Sequence, residues 1–386
     1  MWKHVVANFL TIAIVALVAI AGVVTWGKGQ YTAPGPLAEA ICLKVERGSN
    51  FRVVAEELSG KGAVSHPYIL KVGADYAGRS GALKAGSYLI EAGASMAEIV
   101  EALTGAGLST CGTEINYRIG VTASDIVVNE LDPATQKLAE VMKFDPVVDP
   151  VPEGYAKIAE DADARLRVTL AEGATSWQVV DALSRAEFLT GEVKDIPAEG
   201  SLAPQQYEVT RGSDRAALLA DMQAIQAKTL SELWAGRADG LPYKTPEEAM
   251  VMASIVEKET GVPGERAKVA SVFLNRLEQG MKLQTDPTVI YGLTKGKGVL
   301  GRGLRQSELR SNTPFNTYVI DGLPPSPIAN PGRDAIAAAL SPDKTEYLFF
   351  VADGTGGHAF AETLAEHNEN VAKWRKIEAE QGADGG

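Results

Sequence analysis

The chain has 386 residues, of which 45% are hydrophobic and 22% are charged, and its formal net charge is −12. This length is more than one small core requires, so we expect two or three domains of ordinary globular composition. The negative charge argues against nucleic acid as a partner and against attachment to a membrane through a polybasic surface. Composition excludes these classes without identifying a function.

The first element is an apolar run from Val5 to Trp26. Its 22 residues would form a helix about 33 Å long, which is enough to cross the hydrocarbon core of a bilayer. A cleaved signal peptide has a shorter apolar region with small residues directly after it, so we expect an anchor that is retained. Trp2 and Trp26 bracket the run, as interfacial aromatic residues tend to do. A four-residue tail before a long chain favours a cytoplasmic N-terminus and an exported remainder.

Similar units of strand, turn and helix follow the anchor. In the first unit, a strand from Ile41 leads to a turn at residues 47–49 and to a helix with apolar residues at helical spacing, namely Phe51, Val54, Ala55 and Leu58. The same plan recurs from Arg167 to Ser184 and continues from Ser201, which indicates an internal repeat of small α/β units. Between them, residues 108–164 are acidic and contain prolines and valines, so we expect an insertion or a long, partly ordered connection.

The chain contains two cysteines, Cys42 and Cys111. In an exported protein they would meet an oxidising compartment and could form a disulfide, and two free structural cysteines are the alternative. The C-x-x-C motif is absent from the sequence, which argues against a metal or redox centre.

One later helix is the best candidate for carrying chemistry. Pro246 and two glutamates precede eight uncharged residues, Ala249 to Val256, and Thr245 is placed to cap the start. Gly261 and Pro263 predict that the helix stops shortly before them. Because the segment is apolar on nearly every side, it should lie buried inside a domain.

The last turn of this helix carries Glu257, Lys258, Glu259 and Thr260. A carboxyl group placed there faces the negative pole of the helix dipole and an apolar neighbourhood, and both effects raise its pKa. A carboxylic acid that stays protonated near neutral pH is what a general acid requires. The alternative is that both glutamates are solvated residues at a helix end with no chemical role.

The remaining segments predict a second helix over residues 265–280, then a strand and a glycine-rich loop over residues 283–303. A proline-rich loop between residues 314 and 331 comes next, and we expect it to shape a binding groove. A strand, a turn and a polar-faced helix end the chain. Four residues near the end could ligate zinc but lack the H-E-x-x-H spacing, namely His358, Glu362, Glu366 and His367. We therefore expect no metal, and carboxylate chemistry is the best-supported class.

A series of motifs in fixed order resembles the endolytic murein transglycosylases of the MltG/YceG-like family. They are ASIVEKET, VASVFLNRL, LQTDPTVIYGL, NTPFNTY, GLPPSPIANPG, YLFFVADGTGGHAF and EHN. The resemblance is strong from Ala249 to Trp374 and looser towards the N-terminus. It implies an α+β chain with an N-terminal transmembrane helix, LysM-like small α/β units and a C-terminal α+β catalytic domain built round the buried helix.

The resulting domain prediction has eight parts. They are a cytoplasmic tail (1–4), a transmembrane helix (5–26), a linker (27–40), a LysM-like domain (41–107), an insertion or connection (108–164), a second LysM-like unit (165–240), a catalytic YceG-like domain (241–378) and a flexible tail (379–386). The stretch 108–164 and the cysteine pair are departures from what the family leads us to expect.

The resemblance implies an enzyme of the inner membrane, with a single span, a cytoplasmic N-terminus and a periplasmic catalytic domain. Such an enzyme cuts nascent peptidoglycan glycan strands between MurNAc and GlcNAc, leaves 1,6-anhydro-MurNAc ends and terminates glycan elongation. Its implied partners are the glycan strands, the inner membrane and penicillin-binding peptidoglycan synthases. It requires no cofactor, because a single glutamate acts as acid and then as base.

Lysozyme-like transglycosylases carry their acid in a helix-terminal Glu-Ser pair, and Glu259-Thr260 is the similar pair in this chain. The resemblance therefore assigns Glu259 as the catalytic residue and Glu257 as a supporting carboxylate. The candidates for contacts with the substrate are Gln284, Asp286, Asn316, Tyr318, Asn330 and His358. For polar residues in such loops, stabilisation of turns is the alternative role.

Two other functions stay open. The chain could be a non-catalytic, membrane-anchored glycan-binding or scaffold protein of the cell-wall machinery, in which case Glu259 would point to bulk solvent. It could also be a hydrolase that uses water, with Asp286 as the base. The ends of the glycan fragments distinguish the hydrolase from a transglycosylase.

Overall fold

The computed structural model describes residues 2–105, 109–161 and 163–384. The chain is mixed α+β and divides into two compact units. The N-terminal unit consists of Met1–Asn116, Val127–Phe144 and Pro150–Leu166, and the C-terminal unit consists of Tyr117–Ile126, Asp145–Asp149 and Arg167–Gly386. The segments 165–240 and 241–378, which were predicted as separate domains, thus fall almost entirely in one unit.

The N-terminal unit begins with a long helix and a small α/β arrangement. Its elements are α1 (Trp2–Thr32), β1 (Ile41–Val45), α2 (Phe51–Gly60), α3 (Pro67–Tyr76), β2 (Gly86–Ile90) and α4 (Met96–Thr104). The two strands pair antiparallel with Ile41 opposite Ile90. The side chains of Asn50 and Ser95 cap α2 and α4. The predicted strand from Ile41 and the helix that follows it are confirmed as β1 and α2, whereas the LysM-like assignment stays a prediction.

Two features of this unit bear on its place in the cell. Helix α1 contains the stretch Asn8–Thr32, which is long and apolar enough to cross a membrane by length and composition. The two cysteines, Cys42 and Cys111, are joined in a disulfide. Of the two alternatives that the sequence left open, the structure has the paired one.

The stretch 108–164 holds regular structure. Its elements are β3 (Thr113–Ile119), β4 (Ser124–Asp132), β5 (Lys137–Phe144) and α5 (Tyr155–Glu160). The expectation of a partly ordered connection is therefore wrong for most of this stretch. Strand β3 is buried on both faces over residues 114–117, so it lacks the alternation of apolar and polar residues by which a half-buried strand is recognised.

The C-terminal unit is richer in helices. It contains β6 (Arg165–Leu170), α6 (Ser176–Arg185), β7 (Leu189–Thr190), β8 (Gln206–Val209), β9 (Ser213–Asp214), α7 (Arg215–Ala235), α8 (Pro246–Glu259), α9 (Arg266–Glu278), α10 (Asp286–Thr294), α11 (Gln306–Leu309), α12 (Arg333–Leu340), β10 (Phe349–Ala352), β11 (His358–Ala361) and α13 (Leu364–Asp384). Strands β10 and β11 pair antiparallel, and β7 and β9 pair parallel. A five-stranded sheet has the order β5-β4-β3-β6-β8.

Helix α8 forms the centre of the C-terminal core. Thr245 caps it by accepting the backbone N–H of Glu248 at 3.3 Å, and Pro246 occupies its first turn. All eight residues from Ala249 to Val256 are buried against α7, α9, α10 and α12. The predicted start, end and burial of this helix are confirmed.

The segment after α9 differs from the prediction. Residues 286–294 form helix α10, so the strand predicted at the start of residues 283–303 is wrong. The β-branched pair Val289-Ile290 favoured a strand, but a short apolar run does not distinguish strand from helix by periodicity. Pro287 in the first turn and Asp286 at the positive pole stabilise the helix start.

Candidate active site

Glu259 is the last residue of α8, and its side chain is partly buried. The hydroxyl of Thr285, which comes directly before α10, donates a hydrogen bond to Oε1 of this carboxyl group. Within the described part of the chain, Oε2 has no hydrogen-bond partner. One oxygen is therefore fixed by the protein, and the other is left for a ligand.

Burial is the main reason that the pKa of Glu259 lies above its ordinary value. The hydroxyl of Thr285 opposes that rise because it stabilises the carboxylate. Of the nearby charges, Asp286 raises the pKa further, whereas His358 and Arg276 lower it. The direction agrees with the expectation from the sequence, and it favours a carboxyl group that still holds a proton to donate.

Thr285 is itself held by neighbouring threonines. Its backbone N–H donates to Oγ1 of Thr317 at 3.0 Å, and its carbonyl accepts from Oγ1 of Thr288 at 2.8 Å. All three side chains are buried. The preceding residue, Gln284, has an exposed side chain and a φ of 52°, which is a strained backbone conformation for a residue with a Cβ atom. The hydroxyl next to Glu259 is thus fixed in place by a buried hydrogen-bond network.

Asp286 and Tyr318 form a second pair beside this network. The Tyr318 hydroxyl donates to Oδ1 of the exposed Asp286 at 2.6 Å. Burial raises the pKa of Tyr318, and so does this hydrogen bond, so the phenol stays protonated. Asn316 is fully buried and accepts the backbone N–H of Tyr318 at 3.1 Å. Its amide nitrogen lies within hydrogen-bond distance of the carbonyls of Glu308 and Leu309 in α11 and of Ser311. Asn316 thereby shapes the loop that carries Tyr318.

The side chains of His358 and Arg276 lie near enough to the carboxyl group of Glu259 to lower its pKa. Nδ1 of His358 lies 2.7 Å from Oε2 of Glu265, and the two side chains are 17% and 16% exposed. Because an ionised carboxylate only accepts hydrogen bonds, Nδ1 carries the hydrogen and Nε2 is left for another group. The guanidinium of Arg276 is buried and donates to the carbonyls of Leu283 and Leu348. Burial lowers the pKa of Arg276.

Glu257 has different partners from those of Glu259. Its side chain is 5% exposed, and its Oε1 lies 3.6 Å from Nη2 of Arg266. Its Oε2 accepts the backbone N–H of Gly332 at 2.9 Å. A Cβ atom at Gly332 would overlap the carboxylate of Glu172, which explains why glycine occupies this position. Glu257 therefore joins α8 to α9 and to the start of α12, and its supporting role in catalysis stays a prediction.

Asn330 is fully buried. Its side-chain amide donates to the carbonyl of Ala174 at 3.0 Å and accepts the N–H of Leu202 at 2.9 Å. It thereby fastens the proline-rich loop to two other segments of the unit. In this arrangement it offers no exposed atom to a sugar, and the predicted contact with the substrate stays a prediction.

A cavity of about 570 Å³ lies at the other end of α8. It is lined by Pro242, Tyr243, Glu247, Glu248, Val251, Leu277 and residues 322–327. Glu259 is not among these residues, and it follows Val251 at about 12 Å along the helix axis. The cavity is a feature separate from the carboxyl end of α8.

Three of the residues round Glu259 were not predicted from the sequence, namely Thr285, Arg276 and Glu265. Thr285 stands between two residues that were selected, Gln284 and Asp286, so a hydroxyl group in the same motif was the available signal. Arg276 and Glu265 gave no such signal, because their roles depend on where α9 packs.

Comparisons with known proteins place this chain among relatives. A model of the YceG-like family matches residues 129–373. An endolytic murein transglycosylase of Bacillus subtilis is 39% identical over 180 residues, which cover 46% of this chain and 48% of the relative. One of Streptococcus pneumoniae is 28% identical over 344 residues, covering 86% and 58%. A crystal structure of a yceG-like protein from Listeria monocytogenes has 24% identity and a TM-score of 0.44, covering 86% of this chain and 99% of that chain.

The family model covers more than half of this chain, and the matched residues include the helix that ends at Glu259. The chain belongs to the YceG-like family. It spans about half the length of the curated relatives that it matches. The match begins at residue 129, so the expectation that the stretch 108–164 departs from the family is wrong from that residue onwards.

Proposed function

We propose that this protein is an endolytic peptidoglycan lytic transglycosylase with Glu259 as its single catalytic acid and base. The observation that carries the proposal is the carboxyl group of Glu259, whose pKa is raised by burial and which Thr285 holds by one oxygen. The names of the curated relatives, endolytic murein transglycosylase, support the same activity.

In the first step, protonated Glu259 donates its proton to the glycosidic oxygen between MurNAc and GlcNAc, and the bond from C1 of MurNAc to that oxygen breaks. In the second step, the Glu259 carboxylate removes the proton from the C6 hydroxyl of the same MurNAc, whose oxygen attacks C1. The product carries a 1,6-anhydro-MurNAc end, and water takes no part. Asp286, held by Tyr318, supplies negative charge near Glu259 that favours the positive charge developing on the sugar ring.

The proposal extends to the place of action. Helix α1 anchors the protein in the inner membrane with a single span, and the rest of the chain lies in the periplasm. There it would cut nascent strands made by penicillin-binding synthases and so terminate glycan elongation.

The replacement Glu259→Gln tests the role of the carboxyl group. It keeps the size of the side chain and an acceptor for Thr285 but removes the proton that can be donated, so we expect no cleavage of purified sacculi and an unchanged fold. The matched control is Glu278→Gln, which makes the same chemical change at an exposed helix end and should leave cleavage intact. Normal cleavage by the Glu259→Gln protein would show that another residue is the acid.

Digestion in heavy-oxygen water tests the chemistry independently. Because the C6 oxygen of the sugar is the nucleophile, we expect no label at the new MurNAc ends. Labelled reducing ends would identify a hydrolase, with Asp286 as the candidate base. If intact protein that binds glycan released no fragments at all, the scaffold function would be supported instead.

A further inference from the structure

Helix α3 of the N-terminal unit has a solvent-exposed face that carries large hydrophobic side chains. Tyr68, Val72 and Tyr76 lie four residues apart along it and are 75%, 44% and 83% exposed. Leu70 and Ala74, on the opposite side of the helix, are completely buried. We call Tyr68, Val72 and Tyr76 the α3 face. Two tyrosines and a valine on one stripe are more apolar than a solvated helix face usually is.

This face lies beside the point where α1 leaves its apolar run. The rings of Trp26, the last residue of the run, and His66, which precedes α3, are 5.5 Å apart. One turn later, Tyr31 packs against Gly73 so closely that a Cβ atom there would clash with its ring. Contacts between α1 and α3 therefore begin at the residue where a bilayer crossed by α1 would end.

The chain passes from the span into the core of the unit over a few residues. Helix α1 continues without interruption to Thr32, and Leu37 is already part of the core of the unit. Residues 27–32 of the predicted linker 27–40 are thus helical. Because α1 and α3 are joined by direct contacts, the orientation of α3 relative to a bilayer is set by the direction of α1.

The charges round the α3 face suit a lipid headgroup region. The ammonium of Lys28 lies 5.9 Å from the ring centroid of Tyr76. Lys71 and Arg79 add positive charge on α3 and just after it, against the single carboxylate of Asp75. Tyrosines and basic side chains are the residues that bilayer interfaces attract.

We propose that the α3 face lies in the headgroup region of the bilayer and holds the N-terminal unit against the membrane surface. This inference rests on the proposed role of α1 as a membrane span. Its occupant is the lipid surface, because the face adjoins the end of the span and carries both tyrosines and net positive charge.

Depth-dependent quenching in the full chain tests the proposal. The native cysteines form a disulfide, so one introduced cysteine can be labelled selectively with a fluorophore. We would label Tyr76→Cys, Val15→Cys at the middle of the apolar run, and Val141→Cys on strand β5, whose side chain is also exposed. Each protein would be reconstituted into liposomes that contain lipids spin-labelled either at the headgroup or at mid-chain.

We expect the probe at position 76 to lose most of its fluorescence to the headgroup label, the probe at position 15 to lose it to the mid-chain label, and the probe at position 141 to lose none. A quenched position 15 with an unquenched position 76 would overturn the proposal while leaving the anchor intact, and would point to water or a protein partner at the face. An unquenched position 15 would overturn the anchor and the proposal together. Equal quenching at positions 76 and 141 would also overturn it, because the α3 face would then not be the specific contact.

Discussion

Burial of the Glu259 carboxyl group should lower the stability of the fold near neutral pH. Burial raises the pKa of this carboxyl group, so the folded protein binds the carboxyl proton more tightly than the unfolded chain does. In the unfolded chain a glutamate has a pKa of about 4.3. The stability that the bound proton contributes is complete below the unfolded pKa and is lost as the pH rises through the raised folded pKa. Glu259→Gln should therefore raise the Tm near neutral pH and leave it unchanged near about pH 3. Thermal unfolding at both pH values measures this, and a lower Tm of the variant at neutral pH would contradict it.

Thr285 should control the pH dependence of cleavage. If Glu259 is the acid that we propose, catalysis requires its protonated form, and activity should fall on the alkaline side as the pH rises through its pKa. The Thr285 hydroxyl stabilises the carboxylate. Thr285→Val should therefore move the alkaline limb to higher pH and also lower kcat, because Oε1 is no longer held in place.

The conservative variant Thr285→Ser is the control for this prediction. It keeps the hydroxyl group and should restore both the position of the limb and most of kcat. If Thr285→Val lowered activity without moving the limb, Thr285 would contribute only to packing.

At the scale of helices and strands, local signals decided which predictions held. Cap, proline and glycine signals defined α8 correctly, because Thr245, Pro246 and Gly261 act within the segment itself. Helix α10 and strand β3 were missed, because an apolar run and a strand buried on both faces lack a distinctive period. Asn316 and Asn330 appeared as candidate sugar contacts because polar residues in a loop look alike in sequence, whether they face a ligand or the interior.

Asn330 offers a test of that last distinction. Replacing it by Ala would leave the N–H of Leu202 without its partner in a buried place, whereas the carbonyl of Ala174 would keep the backbone N–H of residue 330. We therefore expect a loss of about 1 to 3 kcal/mol in the free energy of unfolding. Cleavage per folded molecule should stay near the wild-type value. Asn312→Ala, at an exposed position in the preceding loop, is the control and should change stability little. Normal stability with weakened glycan binding would support the role that the sequence suggested.

At the scale of the whole molecule, composition and the ordered motifs predicted the long N-terminal apolar helix, the α+β class and the family. They did not predict that residues 167–386 would group into one compact unit, because such grouping depends on long-range packing. Residues such as Ala174 and Asn330, far apart in the sequence, meet only in the folded chain. Glu259 was selected as a candidate from a local motif. The residues that surround it come from distant parts of the sequence, so they could not be predicted from that motif.

The topology of the chain is open to a direct test. If α1 is a retained span with a cytoplasmic start, a C-terminal reporter that functions only in the periplasm should be active in cells, and one that functions only in the cytoplasm should be inactive. Deletion of residues 5–26 before the reporter is the control and should abolish the periplasmic signal. The opposite pattern would reverse the orientation and remove the substrate from reach of Glu259.

The contacts of Glu257 and Glu259 at the end of α8 should make this helix less tolerant of inserted or deleted residues than of substitutions. Glu257 and Glu259 are separated by about 200° round the helix axis, so one meets Arg266 and Gly332 while the other meets Thr285. Insertion or deletion of one residue earlier in α8 would turn both by about 100°. Such a change would break the ion pair of Glu257 with Arg266 and the hydrogen bond of Glu259 with Thr285 together. Descendants of this sequence should therefore exchange the apolar residues of α8 more readily than they change its number of residues.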